Sequence, residues 1–129
     1  MPDQNFSKHE RLKSRKKIHE LFDTGYVIHH YPFKINWQYE TEISCSNPAK
    51  IAIGVSKRSL KKAVDRNRIK RKIREVYRKN KRWFYNELQT IDQNINFIVI
   101  YTSGDDIEYS KIEEELIYAL KKMIKHINK

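Results

Sequence analysis

The sequence predicts an α+β domain, a two-layer sandwich in which one four-stranded sheet carries helices, with its elements in the order α-β-β-β-α-β-α. Three observations predict it. From Phe33 to Glu40 apolar and polar residues alternate, the period of a half-buried strand. Residues 96–101, NFIVIY, form an unbroken apolar run rich in branched side chains, as a strand buried on both faces does. Two longer stretches, Ile69–Tyr77 and Ile112–Ile127, repeat apolar residues at spacings of three and four, the stripe of an amphipathic helix. At 129 residues with 39% hydrophobic content, the chain can bury one core, and it reads as a single domain over residues 1–129.

The elements follow in order. Residues 1–11 are polar and partly basic, and read as a mobile arm. In LKSRKKIHELFDTG, Ser14 is placed to cap a short helix with Ile18, Leu21 and Phe22 on one face. Gly25 follows where a left-handed terminal residue is usual. Tyr26 to His30 is a strand that pairs with the next, leaving Pro32 at the turn or the sheet edge. On the alternating strand Phe33, Ile35, Trp37 and Tyr39 share a face. Such aromatics are core residues or a stacking platform for unpaired bases, and composition alone does not choose.

Residues 44–50, SCSNPAK, read as a turn. Residues 51–56, IAIGVS, make the third strand, with Ala52, Gly54 and Ser56 on a small-residue side that a ligand or backbone can approach closely. The next helix is expected from a cap at Ser59, with Asp65 in its first turn and Trp83 to Leu88 as its tail. After residues 96–101 the last helix is expected to start at a capping box of Ser110 and Glu113, with Glu113 to Glu115 in its first turn.

Charge carries the functional reading. From Lys57 to Arg82 fourteen Lys and Arg stand against Asp65 and Glu75, while the whole chain has a net charge of +11. One helix therefore holds nearly all of the excess. Such density repels itself in a compact state and is relieved by a polyanion. With Ile69, Ile73, Val76 and Tyr77 turned to the core, Asn67, Arg71, Arg74 and Arg78 gather on the far side, flanked by Arg68 and Lys72. Arginine can grip a phosphate through two hydrogen bonds, which suits this bed to nucleic acid.

Other chemistry finds little support. The five histidines lie at no metal-binding spacing, and Cys45 is the single cysteine, which argues against zinc and against an internal disulfide. The three glycines are too scattered for a phosphate loop, and the acids are dispersed rather than paired for proton transfer. No apolar run approaches the ~20 residues of a membrane span, and the start has no export signal. The expectation is a cytoplasmic RNA- or DNA-binding domain with no catalytic residue and no metal or cofactor of its own. A general RNA chaperone, a DNA-binding regulator and a membrane-surface helix remain alternatives. The absence of a heptad seam weighs against a zipper dimer, and the need for the apolar stripe in the core weighs against a membrane surface.

IGVSKRSLKKAVDRNRIKRKIREVYR resembles the central signature of the bacterial ribonuclease P protein subunit. The triplet Arg66-Asn67-Arg68, the Ile-Lys-Arg after it and the preceding Val-Ser-Lys match in order. LKSRKKIHELFDTG, NFIVIY and the closing helix with Tyr109 before it extend the resemblance over roughly residues 12–125. It implies the same element order, with a left-handed crossover from the third to the fourth strand. It also implies partnership with a large catalytic RNA that removes the 5′ leader of precursor tRNA. That RNA, with bound magnesium, carries the chemistry, and the protein alone is inactive. No membrane or protein partner is implied.

Carried over, the resemblance places Arg66, Asn67, Arg68, Lys70, Arg71 and Arg74 on the RNA subunit, with Lys57, Arg58, Lys61 and Lys62 beside them. It places the single-stranded leader in a cleft between the first helix, the sheet and the basic helix, at Ile18, Phe22, Phe33, Ile35, Trp37 and Ser56. One departure stands out: SLKKAV lacks the glycine that many members carry before Ala-Val, and is one residue longer than the commonest pattern. That bears on how the chain enters the basic helix, and on Lys61 and Lys62.

Overall fold

A computed structural model describes residues 10–40 and 47–128. Its elements are α1 (Arg15–Thr24), β1 (Tyr26–His30), β2 (Phe33–Tyr39), β3 (Ala49–Val55), α2 (Ala63–Thr90), β4 (Ile95–Tyr101) and α3 (Tyr109–Ile127), in the expected order. The strands form one sheet in the order β1-β2-β4-β3. β1 and β4 each pair antiparallel with β2, while β3 and β4 are parallel and joined by α2. Among the described residues no helix is long and apolar enough to cross a membrane.

The two sheet faces are covered unequally. Phe33, Ile35 and Trp37 of β2 and Phe97, Val99 and Tyr101 of β4 point to one side, where Ile69, Ile73, Tyr77 and Phe84 of α2 and Leu116, Leu120 and Met123 of α3 close over them. Tyr77, Phe84 and Phe97 meet with ring centroids 5.7–6.3 Å apart, mostly edge to face. On the other side, among the described residues, α1 and the segment leading into it lie on the sheet, burying Leu12, Leu21 and Ile98 with Ile18, Ala52 and Ile100 partly covered. Polar links hold α1 there. Asn36 Nδ2 donates to the Leu21 carbonyl at 3.2 Å, and Lys17 and Asn96 both donate to Glu40 at 2.8 Å.

The helix ends depart from expectation in instructive ways. Ser14 does cap α1, accepting the Lys17 N–H at 3.2 Å. Gly25 is extended (φ −71°, ψ 158°), not left-handed. It is a glycine because a Cβ there would lie 2.5 Å from the Leu21 carbonyl oxygen. Ser59 does not cap α2, which begins at Ala63 with Lys62 before it and no side-chain cap. A turn over 57–59 intervenes, buries Leu60, and turns the Ser59 hydroxyl to the Thr102 carbonyl at 2.9 Å.

α3 likewise starts at Tyr109 after Glu108, so the Ser110–Glu113 capping box does not form and Glu113 to Glu115 lie past the first turn. Tyr109 packs against the main core, and this anchors the start two residues early. β3 begins at Ala49 rather than Ile51, because Ala49 and Lys50 pair with Ile95 and Asn96.

The N-terminal arm is fixed where it is described. Glu10 is buried and accepts from Lys81 Nζ at 2.7 and 2.8 Å and from the Tyr85 hydroxyl at 2.7 Å. Arg11 then bridges Ile51, and the Leu12 N–H donates to the Ile51 carbonyl at 2.8 Å, covering the outer edge of β3. Residues 10 and 11 are therefore part of the fold rather than of a mobile arm. Residues 1–9 and Cys45 lie outside the described residues, as does the first part of the expected turn at 44–46.

Candidate nucleic-acid interface

α2 owes its two faces to its sequence. Its buried positions Ile69, Ile73, Val76, Tyr77, Lys81, Phe84 and Leu88 recur at three- and four-residue steps. Asn67, Arg68, Arg71 and Arg74 fall on the solvent side and are exposed, while Lys70 is half-buried on the flank. Lys57, Arg58, Lys61 and Lys62 are exposed in the segment leading into the helix. The structure thus brings the predicted cations together along one ridge and its approach.

Not all of them are available to a ligand. Arg66 bends back, its Nη1 donating to the Leu60 and Lys61 carbonyls at 2.9 and 2.7 Å, so it stitches the approach to the helix that no side chain caps. Arg68 Nη1 donates to Asp106 at 2.7 Å and to Asp65 at 3.3 Å. Lys72 Nζ donates to the other Asp106 oxygen at 3.0 Å and to the Ile107 carbonyl at 3.1 Å. Hydrogen bonds from Lys72 and Arg68 hold the Asp106 carboxyl below its ordinary range, and the Asp106 bond in turn raises Arg68. Arg78 pairs with Glu75, and Lys81 is buried against Glu10. Within the described residues Asn67, Lys70, Arg71 and Arg74 enter no ion pair, which leaves them the open part of the ridge.

Arg74 also stands at the rim of a groove of about 390 Å³, lined by Arg11, Leu12, Lys13, Ile18, Ile51, Ala52, Ile53 and Arg74. The groove joins α1, β3 and α2, the three elements between which the cleft was expected. Phe22 is half exposed, as a residue outside the core would be. Ser56 is half-buried at the end of β3, where its Oγ accepts the Ser59 N–H at 3.3 Å.

Of the six expected cleft residues only Ile18 lines this groove; Phe22 and Ser56 lie outside its lining, and the other three are on the far face of the sheet. Phe33, Ile35 and Trp37 are 1–2% exposed and lie under α2 and α3. Alternation showed that they share a face; the pairing of β2 between β1 and β4 turned that face to the helices. The groove side of β2 instead carries Lys34, Asn36 and Gln38.

The model of the family described as Ribonuclease P matches residues 6–124. This chain belongs to the ribonuclease P protein family. A ribonuclease P protein component of Porphyromonas gingivalis is 34% identical over 101 residues, 77% of this chain and 73% of its own length. One of Streptococcus agalactiae is 33% identical over 112 residues, 86% of this chain and 91% of its own. The solved RNase P protein of Staphylococcus aureus superposes with a TM-score of 0.67 at 25% identity, over 88% of this chain and 94% of that one. The RNase P protein of Thermotoga maritima shares the fold, with a TM-score of 0.67 at 23% identity over 88% and 96% of the two chains.

Two members of the site escaped the sequence reading. Asp106 sits 38 residues from Arg68, and nothing local marks it as the acid that holds two ridge cations. Lys81 did leave a signal: it falls four residues after Tyr77 and three before Phe84, on the apolar stripe itself. A lysine there calls for a buried acid.

Proposed function

We propose that this ribonuclease P family protein binds the enzyme's RNA subunit along the exposed ridge of α2 and takes the 5′ leader of precursor tRNA in the groove beside Arg74. The observation that carries the reading is the open set of three cations, half-buried Lys70 and exposed Arg71 and Arg74, with the exposed amide of Asn67 beside them and Arg74 at the rim of that groove. Guanidinium groups free of protein carboxylates are ready for phosphate. Arg68 and Lys72 join them by exchanging Asp106 for phosphate oxygens, and Lys57, Arg58, Lys61 and Lys62 extend the contact along the approach. Arg66 supports the ridge from within. Ile18 and Phe22 line the leader's path on the α1 side, with Ser56 at its mouth.

The chemistry falls to the RNA and its magnesium. The carboxylates on and beside the ridge, Asp65, Glu75 and Asp106, are already neutralised by Arg68, Arg78 and Lys72, a donor set that does not fit a protein-held magnesium. The reaction is endonucleolytic removal of the leader to give the mature tRNA 5′ end, in the cytoplasm.

The test is cleavage of labelled precursor tRNA at low magnesium by the protein, by a bacterial ribonuclease P RNA, and by both. Cleavage at the mature 5′ end only with both is expected. Equal cleavage by the RNA with and without bound protein would leave a general RNA binder. Cleavage by the protein alone would place a catalytic site in the chain.

A further inference from the structure

A second cavity, of about 310 Å³, opens at the other edge of the sheet, between β1, β2 and the end of α3. Its walls are aromatic. Tyr26 lies stacked on Trp37 with centroids 4.6 Å apart and planes at 29°. Tyr39 meets the pair edge-on, at 6.3 Å from Tyr26 and 5.1 Å from Trp37. Tyr26 is 57% exposed, so it presents an open ring face to solvent. Trp37, beneath it, is buried, yet its indole N–H has no acceptor among the described residues. A buried donor without a partner is costly, and a ligand carrying a carbonyl oxygen would relieve it.

The exposed charge around this notch is cationic among the described residues. Residues 24–39 and 116–129 contain no Asp or Glu. Lys122 reaches over β1 to the His29 carbonyl at 3.0 Å, and Lys121, Lys125 and His126 are exposed on the same helical segment. Glu40, next in sequence to Tyr39, is shielded, with a side chain only 5% exposed and bound to Lys17 and Asn96. Exposed rings among cations, with Glu40 already held by Lys17 and Asn96, suit a single-stranded nucleic acid, whose bases stack while its backbone follows the charge.

We infer that this notch is a second RNA site, which receives an unpaired base of the ribonuclease P RNA subunit on Tyr26, with Lys121 and Lys125 on the flanking phosphates. The RNA subunit is the source because α3 packs against α2 in one layer, so an RNA lying on the α2 ridge continues across α3 to the notch. The leader groove involves the opposite face of the sheet, beside Ile18 and Ala52. The inference rests on the reading that RNA docks on α2, and the experiment separates the two.

The two tryptophans give two indole N–H signals in a ¹H–¹⁵N spectrum. Titration with octauridine RNA is expected to move the Trp37 signal as well as α2 amides. Tyr26→Ala should weaken binding of the RNA subunit about tenfold, while Tyr26→Phe, which keeps the ring, stays within about twofold. If α2 amides move and the Trp37 indole does not, the notch proposal falls and the α2 reading stands. If neither moves, both fall. With 4-thiouridine in the RNA subunit, crosslinks should map to Tyr26 in the assembled enzyme. Crosslinks there from a 4-thiouridine leader alone would overturn the choice of RNA. Equal loss of affinity in Tyr26→Ala and Tyr26→Phe would overturn stacking.

Discussion

The two faces of the sheet are built from the same strands and meet opposite fates. One is sealed by α2 and α3, of 28 and 19 residues; the other is crossed by α1, of 10 residues. A ten-residue helix spans about 15 Å, too little to cover four strands. The uncovered remainder, with Ala52, Ile18 and the Arg74 rim, is the groove. An open face here is thus a matter of helix length, and small residues on β3 deepen it. The comparison also teaches that the aromatic strand is no guide to the groove, since β2 turns Phe33, Ile35 and Trp37 to the side of α2 and α3.

Breaking each face should have a different signature. The largest effect is expected on the sealed side: Phe33→Ala should lose about 3–5 kcal/mol in denaturant unfolding, as truncation of a buried aromatic does. Its counterpart Phe22→Ala, half exposed on α1, should cost about 0.5 kcal/mol and instead lower affinity for precursor relative to mature tRNA. A stability loss as large as that of Phe33→Ala would show that Phe22 belongs to the core. Lys81→Ala should cost about 3 kcal/mol by stranding Glu10, although Lys81 belongs to the most basic stretch of the chain. Its RNA affinity, measured where the variant is folded, should match the parent.

On the open ridge the expected effects are on binding. Arg71→Ala and Arg74→Ala should each reduce the slope of log K against log salt by about 0.7–0.9, with little change in stability. The smallest effect is expected from Asp106→Asn, which frees Arg68 and Lys72. RNA affinity should rise about two- to fivefold while stability changes by about 0.5 kcal/mol or less. Because the folded Asp106 carboxyl titrates below its ordinary value, its ion pairs persist at neutral pH and are lost as pH falls through that lowered value. The stability difference between parent and Asp106→Asn should therefore vanish on acidification.

Much of this was legible in the residues. The stripe Ile69, Ile73, Val76 and Tyr77 is fully buried as its spacing requires, and the ridge opposite it followed directly. The β2 alternation showed which residues travel together, but the side they face depends on partners far along the chain. The caps at Ser59 and Ser110 failed because tertiary contacts, Ser59 with Thr102 and Tyr109 with the core, outweighed a local preference of about 1 kcal/mol. The Asp106 clamp was hidden for the same reason: its partners meet it only in three dimensions.

The clasp between Glu10 and α2 bears on the order of folding. Its partners, Lys81 and Tyr85, follow Glu10 by 71 and 75 residues, so the loop they close is one of the longest in the molecule. On a chain made from its N-terminus, Glu10 emerges early and its partners arrive only with α2. β3 waits longer still, because the edge that pairs with β4 stays open until Ile95–Tyr101 is made. The nascent chain is therefore most exposed to intermolecular strand pairing in that interval, and the arrival of β4 ends it.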